Sequence, residues 1–173
     1  PTGGNAATAN TLSSGNYTVT VTDLNGCAQS ATVSITEPVA LTANISASTN
    51  VTCFGSADGS AAVSASGGTG TLTYSWIPIG GVAATAAGLS MGNYTVTVTD
   101  LNGCAQSAAV TITEPAALTA NISASTNVTC FGSADGSATV SASGGTGTLT
   151  YAWSPSGGIA ATAAGLGAGS YTV

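Results

Sequence analysis

The chain of 173 residues contains no lysine, arginine or histidine, and its six carboxylates give it a net charge of −6. Because it has no cationic side chain to neutralise phosphate, we expect no nucleic-acid binding, and an anionic membrane surface would repel it. No apolar run reaches the roughly 18 residues of a transmembrane helix, so we expect no membrane insertion in this segment. The chain is rich in Val, Ile and Thr, which argues against disorder.

The sequence repeats itself with a period of 77 residues. Tyr17, Tyr94 and Tyr171 mark this interval, and the cysteines and tryptophans recur at the same spacing. Glu-Pro pairs that end at Pro38 and Pro115 are natural joints. The predicted units are therefore the C-terminal part of an upstream repeat (1–38), a complete repeat (39–115) and the N-terminal part of a downstream repeat (116–173). We interpret the 173 residues as a segment of a longer protein.

Within the complete repeat, apolar and polar residues alternate with a period of two, which is typical of half-buried β-strands. Strands are predicted, in chain order, over 41–52, 60–66 and 71–76, then a strand or loose crossing over 82–89, and last a hairpin over 92–115. The region 83–87 is alanine-rich, and alanine suits either strand or helix.

The hairpin is the clearest element. Tyr94, Val96 and Val98 alternate with the row Thr95, Thr97 and Thr99, and the turn residues of 100–103 and Pro115 bound its strands. Short strands separated by turn signals, with no helical period, predict an all-β fold of tandem immunoglobulin-like antiparallel β-sandwich domains. Trp76 is the predicted centre of the core, packed against Tyr74 and the Tyr94 strand.

The complete repeat carries two cysteines, and their spacing with no histidine gives poor support for a zinc site. We expect a disulfide between Cys53 and Cys104, because each repeat would then carry its own cross-link. The alternative joins neighbouring repeats, through Cys27–Cys53 and Cys104–Cys130. Either pairing requires an oxidising compartment and hence export.

The polar residues offer little chemistry. Each repeat supplies only three carboxylates, two in turn signals and one at the joint, and no base that could activate a serine, so we expect no enzyme and no cofactor. Asp58, or Asp100 with Asn102, could donate oxygen ligands to calcium, although these residues are above all turn formers. The threonine row could suggest a sugar or ice platform, but threonine is an ordinary residue of solvent-facing strands.

Four stretches resemble the SprB-type repeat of bacteroidete surface adhesins. They are VTCFGSADGSA (51–61), GGTGTLTYSW (67–76), GLSMGNYTVTVTDLNGC (88–104) and TITEP (111–115). The resemblance implies long exported cell-surface proteins of tandem Ig-like domains, with roles in adhesion and, in some members, gliding motility. It implies no catalytic residue. This chain departs from the family in its near-identical repeats and its lack of basic residues.

Two functions follow as hypotheses. The first is a structural shaft of an extracellular adhesin or surface filament, whose partners are copies of itself or neighbouring repeats. The second is a glycan- or calcium-binding module, with surface polysaccharide as a possible partner, acting by avidity across the copies. Because 116–173 lacks the last hairpin strands while 1–38 contains them, head-to-tail complementation between chains is conceivable, although cropping from a continuous array is the simpler account.

Overall fold

The computed structural model describes residues 6–173, and all regular structure in that range is β-strand. The strands are β1 Gly15–Thr22, β2 Ala28–Ile35, β3 Thr42–Thr49, β4 Gly59–Ser66, β5 Thr73–Ile77, β6 Thr85–Leu89, β7 Gly92–Thr99, β8 Ala105–Ile112, β9 Thr119–Thr126, β10 Gly136–Ser143 and β11 Thr162–Leu166. The predicted all-β fold is confirmed. No helix in this part of the chain could cross a membrane.

The central unit, residues 39–115, is a sandwich of two three-stranded antiparallel sheets. One sheet has the order β3-β4-β6 and the other β5-β7-β8. These orders correspond to the A-B-E and C-F-G strands of an immunoglobulin-like sandwich. Alternate residues of both sheets point into one core, made of Leu41, Val51, Ala61, Val63, Trp76, Ala86, Leu89, Tyr94, Val96, Val98 and Ile112.

Trp76 occupies the predicted central position. It is buried, it lies opposite Val96 in the β5–β7 register, and its indole N–H donates to the Ala83 carbonyl at 2.9 Å. The half-buried Tyr74 packs on the same core and lies opposite Val98. The prediction for this aromatic side chain is therefore confirmed.

Two strand boundaries differ from the predictions, for identifiable reasons. β3 ends at Thr49 because the chain turns there, and the Val51 N–H instead donates to the Thr113 carbonyl at 3.1 Å. The alanine-rich region resolves as β6, which begins only at Thr85. Its pairing with β4 passes from Ala87 directly to Leu89, so Gly88, at φ 68°, is a bulge residue that interrupts the simple alternation.

The flanking units are incomplete among the described residues. β1 and β2 pair only with each other, and β9, β10 and β11 form a single sheet that corresponds to β3-β4-β6. The region that corresponds to β5 forms only an isolated bridge, Ser154 to Thr172. The domain boundaries at Pro38 and Pro115 stay predictions; all strands of the central sandwich lie between them.

Candidate functional site

The C-terminal end of the central unit is held by a loop that we call the cysteine loop, residues 50–58. The Asn50 side-chain oxygen accepts a hydrogen bond from the Thr113 N–H at 2.9 Å. Further along the loop, the Gly55 N–H donates to a carboxylate oxygen of Glu114 at 2.8 Å. These two contacts, on either side of the Val51–Thr113 backbone bond, fix the chain immediately before it leaves for the next repeat.

Asp58 closes the cysteine loop from within. Its carboxylate accepts hydrogen bonds from the Thr52 N–H at 3.1 Å and from the Thr52 hydroxyl at 2.5 Å. These donors, the hydroxyl first, favour the charged form and lower the pKa of Asp58 below its usual range. Asp135 and Thr129 repeat the arrangement in the downstream unit, and the pKa of Asp135 is lowered for the same reason.

The N-terminal end of the central unit is built around a second loop, the glycine loop, residues 67–70. Gly67 has φ 80°, and a Cβ there would lie 2.1 Å from the Ala40 carbonyl oxygen, so no other residue fits. Its neighbour Gly68 donates its N–H to the Val39 carbonyl at 2.8 Å. The glycine loop thereby fastens the chain where it first enters the repeat.

Asp100 joins this loop to the β7–β8 turn. It is buried, and its carboxylate accepts N–H donors from Thr69 at 2.9 Å, Asn102 at 2.9 Å and Cys104 at 2.8 Å. The Thr69 N–H is the largest cause of a lowered pKa for Asp100, and burial opposes it. The sequence identified Asp100 as a turn former, but its cross-link to the glycine loop could not be read from local spacing.

The two ends meet between consecutive repeats. In the downstream unit the glycine loop is residues 144–147, and its Gly145 N–H donates to the Ala116 carbonyl at 2.8 Å. Its neighbour Thr146 donates its hydroxyl to the Thr52 carbonyl of the cysteine loop at 2.9 Å. This joint is the candidate functional site, because it links two repeats by a direct contact in addition to the chain itself.

The equivalent hydroxyl in the central unit, Thr69 Oγ1, is buried and has no hydrogen-bond partner among the described residues. Thr69 and Thr146 occupy the same position of the repeat, 77 residues apart. The difference between them shows what the joint adds: a hydroxyl that lacks a partner within its own unit finds one on the preceding unit.

The calcium candidates are not brought together. Asp58 lies in the cysteine loop at the C-terminal end of the unit, whereas Asp100 and Asn102 lie in the β7–β8 turn at the N-terminal end. The carboxylates of both aspartates accept N–H donors. Residues 6–173 contain no group of three potential metal-binding side chains. Calcium binding stays a prediction, without a preformed cluster to support it.

The predicted Cys53–Cys104 disulfide is not supported. All four cysteines are free and exposed. Cys104 precedes β8, and Cys53 lies in the cysteine loop that bonds to Thr113, just after β8. The eight-residue strand separates them by about 25 Å, whereas a disulfide needs Cα atoms within about 7 Å. The sequence indicated that both cysteines adjoin loops, but not that these loops lie at opposite ends.

The alternative pairs are also unformed. Cys27 lies in the β1–β2 turn, remote from the joint at Pro38, and Cys53 lies beyond that joint at the far end of the central unit. Cys104 and Cys130 have the same relation one repeat later, since each is 77 residues further along. Within one chain, neither pair faces the other.

A tyrosine hydrogen bond was missed by the sequence reasoning. The Tyr94 hydroxyl donates to the Ser90 carbonyl, four residues upstream, at 3.0 Å. Tyr17 and Tyr171 bond in the same way to Ser13 and Gly167, at 3.0 and 3.2 Å. This is the tyrosine corner of immunoglobulin-like sandwiches, and a tyrosine near the start of the sixth predicted strand was its available signal.

Comparison with known proteins gives one family. The SprB repeat model matches residues 45–81 and 122–158, which are corresponding segments one period apart. Each match runs from the first strand of a unit to the turn after the tryptophan. The search of curated proteins and the search of solved structures returned no match.

Proposed function

We propose that this chain, which carries two SprB-type repeats, is part of the structural shaft of an extracellular adhesin or surface filament. SprB repeats occur in bacterial cell-surface proteins, which supports an exported location. The proposal assigns no catalytic role to any residue. The shaft holds its working parts away from the cell, and its partners are neighbouring repeats of its own kind.

The observation that carries the proposal is the joint. A shaft transmits force only if consecutive units resist bending, and here three contacts brace the connection. Glu114 is held by the Gly55 N–H, Gly145 holds the Ala116 carbonyl, and Thr146 bonds directly to Thr52. A flexible linker would leave these backbone groups to water. The bracing contacts use the same residues in each repeat, so an array would repeat them along its length.

The surface composition also supports a shaft. The outward rows of the sheets carry threonine and serine, as in the cross-strand pair Thr97–Ser107 at 3.2 Å and the pair Thr49–Ser60 at 2.8 Å. Such hydroxyls satisfy one another across the strands and carry no charge. Units with these surfaces can pack side by side without burying an unpaired charge.

The test of the joint compares two threonines. In the full chain, Thr146→Val removes the hydroxyl that bonds to the next unit, whereas Thr69→Val removes the same hydroxyl where it has no partner. Backbone ¹⁵N relaxation reports whether the central and downstream units tumble together. We expect one common correlation time for the wild type and for Thr69→Val, and separate, shorter times for Thr146→Val. Independent tumbling of the wild-type units would contradict the shaft.

The location is tested on intact cells that produce the protein. An antibody against the central unit should label unpermeabilised cells, and electron microscopy should place the label on extended structures at a fixed distance from the surface. Label that appears only after permeabilisation would contradict an extracellular shaft, whatever the stiffness of its joints. The glycan- or calcium-binding alternative stays a prediction, because no contact of the described residues favours it.

A further inference from the structure

The downstream unit has an open groove where the central unit has a filled core. A cavity of about 440 Å³ is lined by Ile122, Val128, Trp153, Leu166 and Tyr171, among others, and it opens to solvent. Leu118 and Ile122 are 62% and 53% exposed, whereas Leu41, which corresponds to Leu118, is 7% exposed. The side chains are those of a sandwich core, but only one sheet is present to cover them.

Ile112 identifies what is missing from the groove. In the central unit, a Cβ on Gly59 would lie 2.8 Å from Ile112 Cγ2, so this β8 side chain fills the space above the glycine. The corresponding Gly136 meets only strand backbone and Val128. The groove therefore has the shape of a hairpin like β7–β8, with an isoleucine at the end of its second strand.

The chain also carries a hairpin of that kind with no partner. Residues 15–38 match 92–115 except at Thr32/Ala109 and Ser34/Thr111. In β1–β2, however, Val19, Val21 and Val33 are 54%, 67% and 54% exposed, whereas Val96 and Val98 in β7 are fully buried. One end of the molecule thus exposes the apolar face that the other end lacks.

We propose that the groove of the downstream unit is a binding site for the β1–β2 hairpin of a second copy of this chain. β1 takes the position of β7 beside residues 150–154, β2 takes that of β8, and Ile35 enters the cavity as Ile112 does in the central unit. The partner is identified by matching sequence, strand order and unburied apolar surface. The inference goes beyond the shaft function and does not depend on where the protein is displayed.

The insertion exchanges one short strand for a longer one. Residues 169–173 already occupy the start of the β7 position, through the two backbone bonds between Ser154 and Thr172 at 2.8 and 2.9 Å. The second copy's Tyr17 and Thr18 correspond to Tyr171 and Thr172, so they restore these bonds as the acceptor's own strand is released. The donor then adds the remainder of β1 and all of β2, which have no counterpart in the acceptor.

A chain cannot fill its own groove. Its hairpin and its groove lie on opposite sides of the central sandwich, and the eight-residue strands of that sandwich are about 25 Å long. The contact is therefore heterologous, one end of a copy against the other end of the next, and it adds copies in a line unless the rotation closes a ring.

Insertion would also recreate the joint. The donor continues through Glu37 and Pro38 into its own central unit, just as Glu114 and Pro115 continue into the downstream unit. The donor's β1–β2 turn would lie beside the acceptor's glycine loop, which contacts the cysteine loop through Thr146 and Thr52. Cys27 of the donor then lies near Cys53 of the acceptor, and Cys104 of the donor near Cys130 of the acceptor. The pairs that cannot meet within one chain meet between copies.

The experiment uses the full chain, unfolded in urea and refolded over a concentration series under reducing conditions, so that neither slow strand exchange nor disulfides decide the result. Light scattering after size exclusion gives the mass. We expect species at multiples of the 16.2 kDa chain whose proportion rises with concentration. A monomer at every concentration would overturn the proposal.

Two variants test the surfaces separately. Ile35→Asp places a charge on the half-exposed hairpin, and Val128→Asp places one on the groove; each alone should be monomeric. Mixed and refolded together, they should form a dimer and nothing longer, because only the intact groove of one and the intact hairpin of the other can combine. Val82→Asp, at an 81% exposed site outside both surfaces, should assemble like the wild type. Assembly of Ile35→Asp alone, or failure of the mixture to pair while circular dichroism shows folded sheet, would overturn the proposal.

A short bismaleimide then maps the contact. Cross-links between copies should join Cys27 to Cys53 and Cys104 to Cys130, as shown by mass spectrometry of a mixture of ¹⁴N- and ¹⁵N-labelled chains. Assembly through other cysteine pairs alone would show a different interface and would overturn the assignment of the groove.

Discussion

The β1–β2 and β7–β8 hairpins have almost the same sequence and the same register but very different surroundings. Gly15 lies opposite Ile35 and Gly92 opposite Ile112, and each ladder continues through eight matched pairs. In β7–β8, Val96, Val98 and Ile112 are fully buried; in β1–β2, the equivalent valines are more than half exposed. Local sequence is therefore sufficient for strands, turn and register, whereas burial depends on the sheet that faces the hairpin.

The two turns show the same contrast in their hydrogen bonds. The Asp23 carboxylate accepts N–H donors from Asn25 and Cys27 at 2.9 and 2.8 Å, and Asp100 accepts the equivalent pair. Only Asp100 accepts a third donor, from Thr69. The turn forms by itself, and the contact with the glycine loop converts it into a tertiary link. Matched substitutions in the two hairpins can separate these contributions.

The largest difference is expected at the isoleucine that ends each hairpin. Ile112→Ala should destabilise the central unit by about 2–5 kcal/mol, because it removes a fully buried side chain and leaves a cavity. Ile35→Ala should change the same transition by less than about 0.5 kcal/mol, because Ile35 has no sheet above it. Urea unfolding followed by Trp76 fluorescence, in a Trp153→Phe background and at dilute concentration, measures both.

Equal losses for the two isoleucine variants would show that β1–β2 is packed against the central sandwich, contrary to the exposure of its valines. A small effect of Ile112→Ala would instead place the core of the central unit elsewhere.

A second difference is expected at the aspartates and depends on pH. Because the folded-state pKa of Asp100 is lowered, the carboxylate contributes stability above its unfolded pKa of about 3.9, and this contribution is lost as the pH falls through the lower folded value. Asp100→Asn should therefore lower the urea midpoint at pH 7, and the gap to wild type should narrow as the pH falls below about 4. Asp23→Asn should leave the Trp76 transition nearly unchanged at every pH.

The acid titration of the two proteins decides this point. A gap between Asp100→Asn and wild type that stays constant from pH 7 to pH 2 would mean that the amide disturbs the turn by its shape and not by its missing charge. Asp58 contributes its own acid dependence in both proteins, since its pKa is lowered in the same direction, so only the difference between them is informative.

The sequence predicted what depends on neighbours along the chain. Alternation in 92–99 gave β7, the turn residues gave the hairpin, and the tryptophan gave the core centre, because each follows from local periodicity and side-chain size. The cysteine pairing was wrong in its favoured form because it depends on which end of the sandwich each loop reaches. The joint was not found, since its Thr146–Thr52 bond links residues 94 positions apart. Such a contact leaves no periodic signal.

The smallest difference is expected at the tyrosine corners. Tyr94→Phe keeps the buried ring and removes only the hydroxyl that donates to the Ser90 carbonyl, so it should cost about 0.5–1.5 kcal/mol in the Trp76 transition. Tyr17→Phe removes the same bond, to Ser13, from a hairpin that no sheet covers, and should leave that transition unchanged. If both substitutions are neutral, water replaces the hydroxyl at Ser90 without penalty and the corner is a consequence of the fold. If only Tyr94→Phe costs stability, the corner contributes once a second sheet excludes water from it, as the contrast in valine burial between the two hairpins implies.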